Sequence, residues 1–550
     1  MKKVLLFFLL SIFVCACGKK EESKDERKVL KLAFRDKVRT LDPRYGGETP
    51  ASHMIRMLYD GLCRRGVDGN IYPALAKRYD ISEDQLTYTF HLRESEWSDG
   101  TPLTAYDFEH SWKTSLDPNT LGHGAQNFYV IKNAKKVVKG QLPVDAAGIR
   151  AIDDLTLVVT LEYPTPYLME IISCTLFYPV PKHLDKANSH WATNPEASFV
   201  SNGPFRVKSW QKGNRIVVEK NPNYWDVDNV KLDEIEVAIV EDPMTHLYLF
   251  EKGEIDWLGA PLNETPPDAI TTLRKEYSVQ SFESPFVYWF FVNTEKFPFT
   301  NQKLRQALAY AIHRQELVEG IFDHNASPAM GILSPCFKMG NPPFFLDGNQ
   351  EKARELFNEA LEEIHLNLET FPEIVVNYPA NSDTTHRLVQ AIQQQWKKAL
   401  GLEVKLQQLD WPVHFTKIQN GDYQLGFMGW TSYIGDPIYM LKTFMFRDDT
   451  VNMSNWESES FQARIDASNL ELDPEKRMVY LREAEAILMD EMPILPLFFK
   501  KLEFSKKPGV SGVACPATGE IDFKFAQVDT NVQAFPMEEI ASSVSITSER

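Results

Sequence analysis

Hydrophobic and polar positions change period several times along the chain, and each change marks an element. VLKLAF at 29–34 alternates apolar and polar side chains with period two, the pattern of a strand with one covered face. LTYTFHL at 86–92, TLVVTLEY at 156–163, RIVVEK at 215–220 and LDEIEVAIV at 232–240 repeat that alternation. ALAKRYD, which opens the segment 74–93, reads as a short helix followed by a turn. Near residue 286 the pattern restarts. FVYWFFVNT predicts a buried strand, and QKLRQALAYAIHRQELVEGI a single helix in which Leu304, Leu308 and Ile312 form one apolar stripe. Helices follow at KARELFNEALEE, 352–363, and HRLVQAIQQQWKKALG, 386–401, the latter closed by Gly401. LEVKLQQLD, 402–410, and YQLGFMGW, 423–430, are strands. Strands interleaved with helices twice over predict two α/β lobes.

The ends of the chain break this pattern. Lys2 and Lys3 precede an apolar run over residues 4–14, too short for a permanent membrane span and suited to a signal-peptide core. The run ends Val14-Cys15-Ala16-Cys17, which resembles the bacterial lipobox and implies acylation of Cys17. Two or three acyl chains hold a protein at a membrane where one does not. GKKEESKDERK at 18–28 is mostly charged and is expected to be a solvated tether. Gly18 follows the cysteine where inner-membrane lipoproteins commonly carry aspartate, and this leaves inner and outer membrane open. No later stretch reaches eighteen apolar residues. The mature protein is therefore expected to face the periplasm or exterior, held at the cell envelope by lipid. Beyond Ala526 periodicity stops and a flexible tail, 527–550, is expected.

Composition excludes some functions. A net charge of −17 disfavours nucleic acid as a partner. Cys63, Cys174, Cys336 and Cys515 are widely scattered, so their pairing is open, and no close Cys/His pair suggests a metal. No cofactor is expected. HExxH, GxSxG, a phosphate-binding GxxxxGK[ST] loop and a helix-opening GxGxxG are all missing, so no enzyme activity is expected. His386 and His414 sit in helical segments and read as hydrogen-bonded or surface histidines.

Residues 97–108, WSDGTPLTAYDF, contain a turn at Asp99-Gly100 and a capping box formed by Thr104 and Asp107. The wording of this segment resembles the signature of the family 5 extracytoplasmic solute-binding proteins, the peptide- and nickel-binding group that serves ABC importers. LDPRYG at 41–46, SNGPFRVKSW at 201–210, FEKGEID at 250–256, PFTNQKLRQALAYAIHR at 298–314 and QQWKKALGLEVKLQQLDW at 394–411 are similar to further blocks of that family, in order. The layout looks most like the oligopeptide-binding lipoproteins.

The resemblance implies an α/β, periplasmic-binding-protein-like fold (type II, cluster C), with two main lobes around a hinge and an inserted third domain. It implies a discontinuous domain I at 29–59, 184–285 and 500–526, a domain II at 60–183 and a domain III at 286–499. The ligand is expected in the hinge cleft, as an extended oligopeptide whose backbone pairs with strand edges. A monomer that delivers its ligand to an ABC permease and ATPase is implied. Within the family a dipeptide, a modified or cell-wall peptide, a nickel complex, an opine or a sugar remains open as ligand, and so does a signalling or adhesion lipoprotein on the same scaffold.

The site residues follow from the same resemblance. GWTSYIGDP at 429–437 matches a cleft segment, with Trp430 and Trp411 at positions of pocket tryptophans. Thr49 matches a backbone contact, and Gly259 and Ala260 match a ligand-backbone segment. Trp289 and Phe291 share a face of the strand beside the cleft, and Tyr288 lies on the opposite face. The familiar peptide binders carry an aspartate for the peptide's ammonium where this chain has Tyr433. Arginines that meet the peptide carboxylate are replaced by Ile418 and Phe427, and His386 is one position off a ligand histidine. Either Asp436 takes over the ammonium, or Tyr433 holds a cation on its ring face, or the ligand has no free amine there.

Overall fold

The computed structural model describes residues 27–529 except 47, 121–123, 189–190, 194–198, 267–268, 323–324, 341–342 and 381. The signal segment with Cys17, most of the tether and the tail from 530 lie outside the described residues. Three sheets carry the architecture. In the first, strand Val29–Phe34 runs parallel to Glu234–Ile239, which continues antiparallel through Arg215–Lys220 to Phe205–Gln211. The second is an antiparallel sheet of Ala76–Ile81, Thr87–Leu92, Thr156–Thr160 and Ile149–Asp153. The third, the large sheet, orders Trp257–Gly259, Ile494–Lys506, Val279–Val292, Leu425–Trp430, Ile374–Pro379 and Val404–Leu409, with Ala326–Pro328 on a side edge.

Helices cover both faces of the large sheet, so its central strands bury side chains on both sides. Val287, Trp289 and Phe291 face one core together with Met428 and Phe499. Phe290 and Val292 face the other, against the helices Gln302–Tyr310, Gln350–Glu363 and Asp383–Leu400. Gly401 ends the last of these in the left-handed conformation, with its N–H donating to Lys397 O. The two long strands Val279–Val292 and Ile494–Lys506 run side by side, and their register breaks between Glu283 and Val287. Such a break bends and twists a strand pair.

Two local expectations fail for identifiable reasons. Ala76–Ile81 is a strand, because LTYTFHL folds back on it through a turn at Ser82–Thr87 and stacks Tyr88 and Phe90 on Tyr79. The single helix expected over QKLRQALAYAIHRQELVEGI is two, Gln302–Tyr310 and Arg314–Phe322. Arg314 is fully buried, and its guanidinium takes the carbonyls of Ala309, Ile312 and Pro496 while Asp347 accepts the N–H groups of Arg314 and Gln315. Those partners come from distant segments. The ordered chain also extends past both expected edges. Lys28 N donates to Asp233, and Gln527–Val528 pairs with Val510–Ser511.

Gly259 sits at φ +101°, and a Cβ there would lie 2.5 Å from the Glu503 carbonyl. Gly259→Ala is expected to destabilise the protein by at least about 2 kcal/mol, read as a lowered denaturation midpoint.

Candidate functional site

One wall of the candidate cleft is the end of strand Leu425–Trp430. It pairs with Val279–Val292 along its length, but with Ile374–Pro379 only at Leu425 and Gly426. Beyond Gly426 its outer edge carries no strand among the described residues, and the N–H groups of Thr431 and Tyr433 meet no acceptor there. Gly429 is closely packed, since a Cβ would lie 2.5 Å from the Phe286 ring and that ring would have to move. Trp430 is half-buried against Trp289, with ring centroids 6.5 Å apart. The Ser432 hydroxyl donates to Ile434 O and closes the turn, which leaves the Tyr433 ring 64% exposed beside Tyr439.

The opposite wall starts in LDPRYG. Arg44 is buried and bonds both Asp42 and Asp185, and Asp185 also bonds His110. Burial pushes the Asp185 carboxyl up, yet His110 and Arg44 hold it below the usual carboxylate range. This cluster fixes the loop that leads to helix Thr49–Leu58, where Thr49 is exposed in the first turn. Three and seven residues on, Ser52 and Arg56 lie near the same helix face. Ser52 Oγ is 3.2 Å from Thr175 Oγ1, and Arg56 Nη2 donates to Glu520 at 2.8 Å and to Ser173 O at 3.4 Å.

Residues 173–175 lie between these two candidate walls and would form a floor. The Cys174 thiol lies 3.9 Å from the Tyr433 carbonyl, so Cys174 and Thr175 connect the two walls. Signature segment 97–108 positions this floor. Thr104 N donates to Asp107 and starts helix Ala105–Leu116, whose Trp112 and Ser111 donate to the carbonyls of Phe177 and Tyr178. Burial pushes the Cys174 thiol well up, so it stays protonated.

The other expected residues separate into groups. Trp289 and Phe291 are completely buried and pack on Phe444, so they support the wall instead of forming its surface. Tyr288 faces the opposite core, stacked on Phe427 and Phe498. Trp411 is 46% exposed at the start of helix Trp411–Gln419, stacked on His414 and Phe415. His414 Nε2 donates to Phe427 O, and His386 Nδ1 bonds the Tyr378 hydroxyl. The amides of Gly259 and Ala260 are both engaged, by Asn263 Oδ1 and Glu503 O, so this segment offers no free N–H. Asp436 is buried, and both of its oxygens bond Arg477 at 2.6 and 2.8 Å. Its expected freedom to meet an ammonium is therefore missing, because a guanidinium from helix Pro474–Glu491 already fills it.

The structure adds Ser52, Arg56, Cys174 and Thr175 to this region, and the sequence reading singled out none of them. The spacing of Thr49, Ser52 and Arg56 on one helix carried a weak signal, and the others carried none. Around this cleft the structure leaves buried polar atoms without a partner: Trp430 Nε1, Trp289 Nε1, Arg56 Nε and Thr518 Oγ1. Buried polar atoms without a partner also occur elsewhere among the described residues, at His246, Arg314 and Asn469 for example. No group of three potential metal ligands converges among the described residues.

A cavity of about 470 Å³ lies between the segment 328–344 and helix Pro474–Glu491. Glu485 is buried in its wall and accepts from the amides of Ile332 and Leu333 and from Arg482. Burial outweighs these contacts and pushes its carboxyl up to about 7.

The residues 70–452 match the profile of the bacterial extracellular solute-binding proteins, family 5. The chain belongs to this family. It is 34% identical over 538 residues to the oligopeptide-binding protein OppA of Bacillus subtilis, covering 95% of this chain and 98% of that one. A Borrelia burgdorferi periplasmic oligopeptide-binding protein, described as an oligopeptide ABC transporter, superposes with TM-score 0.70 at 27% identity, over 92% of this chain and all of that one. The unliganded open form of MppA, a periplasmic murein tripeptide binding protein, superposes with TM-score 0.82 at 24% identity, over 92% and 98%. The fold is thus the two-lobed α/β architecture of the type II periplasmic binding proteins.

Two predictions follow from the buried charges. Asp436→Ala strands Arg477 and should cost about 3–5 kcal/mol of stability in denaturant titrations. A loss of ligand affinity at unchanged stability would show instead that Asp436 contacts ligand. The raised Glu485 carboxyl contributes stability below about pH 4.5 that is lost as pH rises through about 7. The unfolding midpoint should therefore fall relative to Glu485→Gln between those pH values, and parallel curves would contradict it.

Proposed function

We propose that this protein is a lipid-anchored, extracytoplasmic receptor that captures oligopeptides in extended form and delivers them to an ABC permease. The observation that carries this reading is the uncovered edge from Met428 to Tyr433, with free amides at Thr431 and Tyr433. An extended peptide adds a strand to such an edge through main-chain hydrogen bonds that do not depend on its sequence. Trp430 and the exposed Tyr433 supply apolar and aromatic contact beside it. The names of the Bacillus and Borrelia relatives support peptide as ligand and an ABC transporter as partner. The lipobox-like residues before Cys17 support the anchor.

The three-domain division also belongs to this reading. The first sheet falls in domain I, the second in domain II and most of the large sheet in domain III. The register break at Glu283–Val287 lies at the proposed boundary near residue 286, and Ser284 Oγ donates to Lys500 O beside the second boundary. Closure about these two strands would bring Trp430 onto the helix that starts at Thr49. A second reading, a modified or cell-wall peptide as ligand, is favoured by the missing carboxylate at Tyr433.

Mass spectrometry of material released from the purified, denatured protein tests the proposal. A mixture of peptides of two to five residues is expected, and a single defined non-peptide overturns it. Trp430→Ala should weaken binding of the recovered peptides about tenfold or more in calorimetry, since buried tryptophans at contact centres dominate affinity.

A further inference from the structure

The turn 431–437 follows Trp430, the last residue of its strand to pair with Val279–Val292, so no ladder bond of the sheet fixes its course. That course decides where the amides of Thr431 and Tyr433 point. From its own side the turn is pinned at Asp436, which bonds Arg477 and accepts from Ile438 N at 2.9 Å. Its middle is held by a segment far away in the chain. Gly435 N donates to Glu170 Oε2 at 3.1 Å, across 265 positions of sequence. Glu170 lies in helix Leu168–Ile172 and accepts from both Nη atoms of Arg65. Arg65 Nη1 also donates to Gly69 O at 2.8 Å, which fastens the guanidinium to the hairpin of Cys63–Arg65 and Ile71–Pro73.

The turn is packed directly onto this ion pair. A Cβ on Gly435 would lie 2.8 Å from Glu170 Oε2 and 3.1 Å from Arg65 Nη1, so the backbone could not sit here with a larger residue unless the pair moved. The Arg65 side chain is only 7% exposed, and losing its carboxylate would leave a buried cation uncompensated. A second tie runs in the same direction. Helix Ile438–Lys442 continues from the turn, and Lys442 Nζ donates to the Tyr167 hydroxyl at 2.6 Å while lying 5.0 Å from the centre of the Tyr163 ring. Arg65, Tyr163, Tyr167 and Glu170 all belong to the proposed domain II, which supplies none of the expected ligand contacts. Its ion pair reaches the cleft only through the backbone of the turn.

We propose that Arg65 and Glu170 are positioning residues for peptide capture: through the Gly435 amide they hold the turn so that the Thr431 and Tyr433 N–H groups face an incoming peptide strand. Domain II thereby sets ligand affinity without touching ligand. The inference rests on the peptide reading above. Its test loads the full-length protein with an isotope-labelled library of four-residue peptides and follows release into excess unlabelled library. Hydrogen exchange of the ligand-free protein and its melting temperature are measured alongside. Glu170→Leu should speed release about tenfold or more, the size of a lost charge-assisted contact, and raise amide exchange across residues 434–440. Glu170→Gln keeps an oxygen for the Gly435 amide and should release peptide within about threefold of the unaltered rate. Arg65→Met should act like Glu170→Leu, and the double variant should be no worse than either, because the two side chains work as a unit. Additive losses in the double variant overturn that shared role. A role confined to folding predicts that release changes only in step with melting temperature, in Glu170→Gln as in Glu170→Leu. That result, or release from Glu170→Leu at the unaltered rate, overturns the positioning role while peptide binding stands. Retention of no peptide by the unaltered protein overturns the peptide reading itself and this inference with it.

Discussion

The buried pair of Arg64 and Asp522 is the contact on which the cleft depends. Arg64 donates to both oxygens of Asp522 at 2.6 and 2.8 Å, and to the carbonyls of Arg56 and Tyr59 at the end of helix Thr49–Leu58. Burial raises the Asp522 carboxyl, but Arg64 overrides it and holds the group ionised, below its usual range. A pair so far from water holds only when its remaining valences are filled. Asp60 bonds Arg64, Tyr224 and Trp225, which completes the network. Residues 458 positions apart in the chain are thereby fixed to one another, and the C-terminal segment is laid against the helix that begins at Thr49.

From that contact the cleft is assembled by rigid elements, each held by its own buried polar contact. The Arg44 cluster aims the loop before Thr49. The helix of the signature segment pins the floor through Trp112 and Ser111. The large sheet presents Trp430, because Leu425–Trp430 departs from its parallel neighbour after Gly426. Sheets usually protect such an edge. Here it is left uncovered beside the unpartnered Trp430 indole, and the proposed peptide strand would cover it.

Strand positions were legible wherever one face is buried, because a period of two survives in VLKLAF, LTYTFHL and LDEIEVAIV. Failures came where a distant partner decides. ALAKRYD carries no pattern that selects strand over helix until Tyr88 and Phe90 fold back on Tyr79. The break between Gln302–Tyr310 and Arg314–Phe322 is made by Asp347 and Pro496, which no window around Arg314 contains. Trp430 and Thr49 were expected at the cleft from the family wording of their segments, and the structure leaves Thr49 exposed and Trp430 half-buried. Trp289, Phe291 and Asp436 could not be judged, since burial and the Arg477 partner are properties of packing.

The sequence by itself determined the class of the molecule: an α/β chain with a signal-like start, no catalytic motif and the ordered blocks of the family 5 binding proteins. These are matters of local periodicity, capping and spacing, which are written along the chain. Tertiary structure alone decided which charges are available. Asp436, near Tyr433 in sequence, is taken by Arg477. Glu520, 87 positions beyond Tyr433, is paired with Arg56 on the helix that begins at Thr49. The reason is that a carboxylate's role depends on which cation reaches it first, and in a buried network that is set by packing between distant segments.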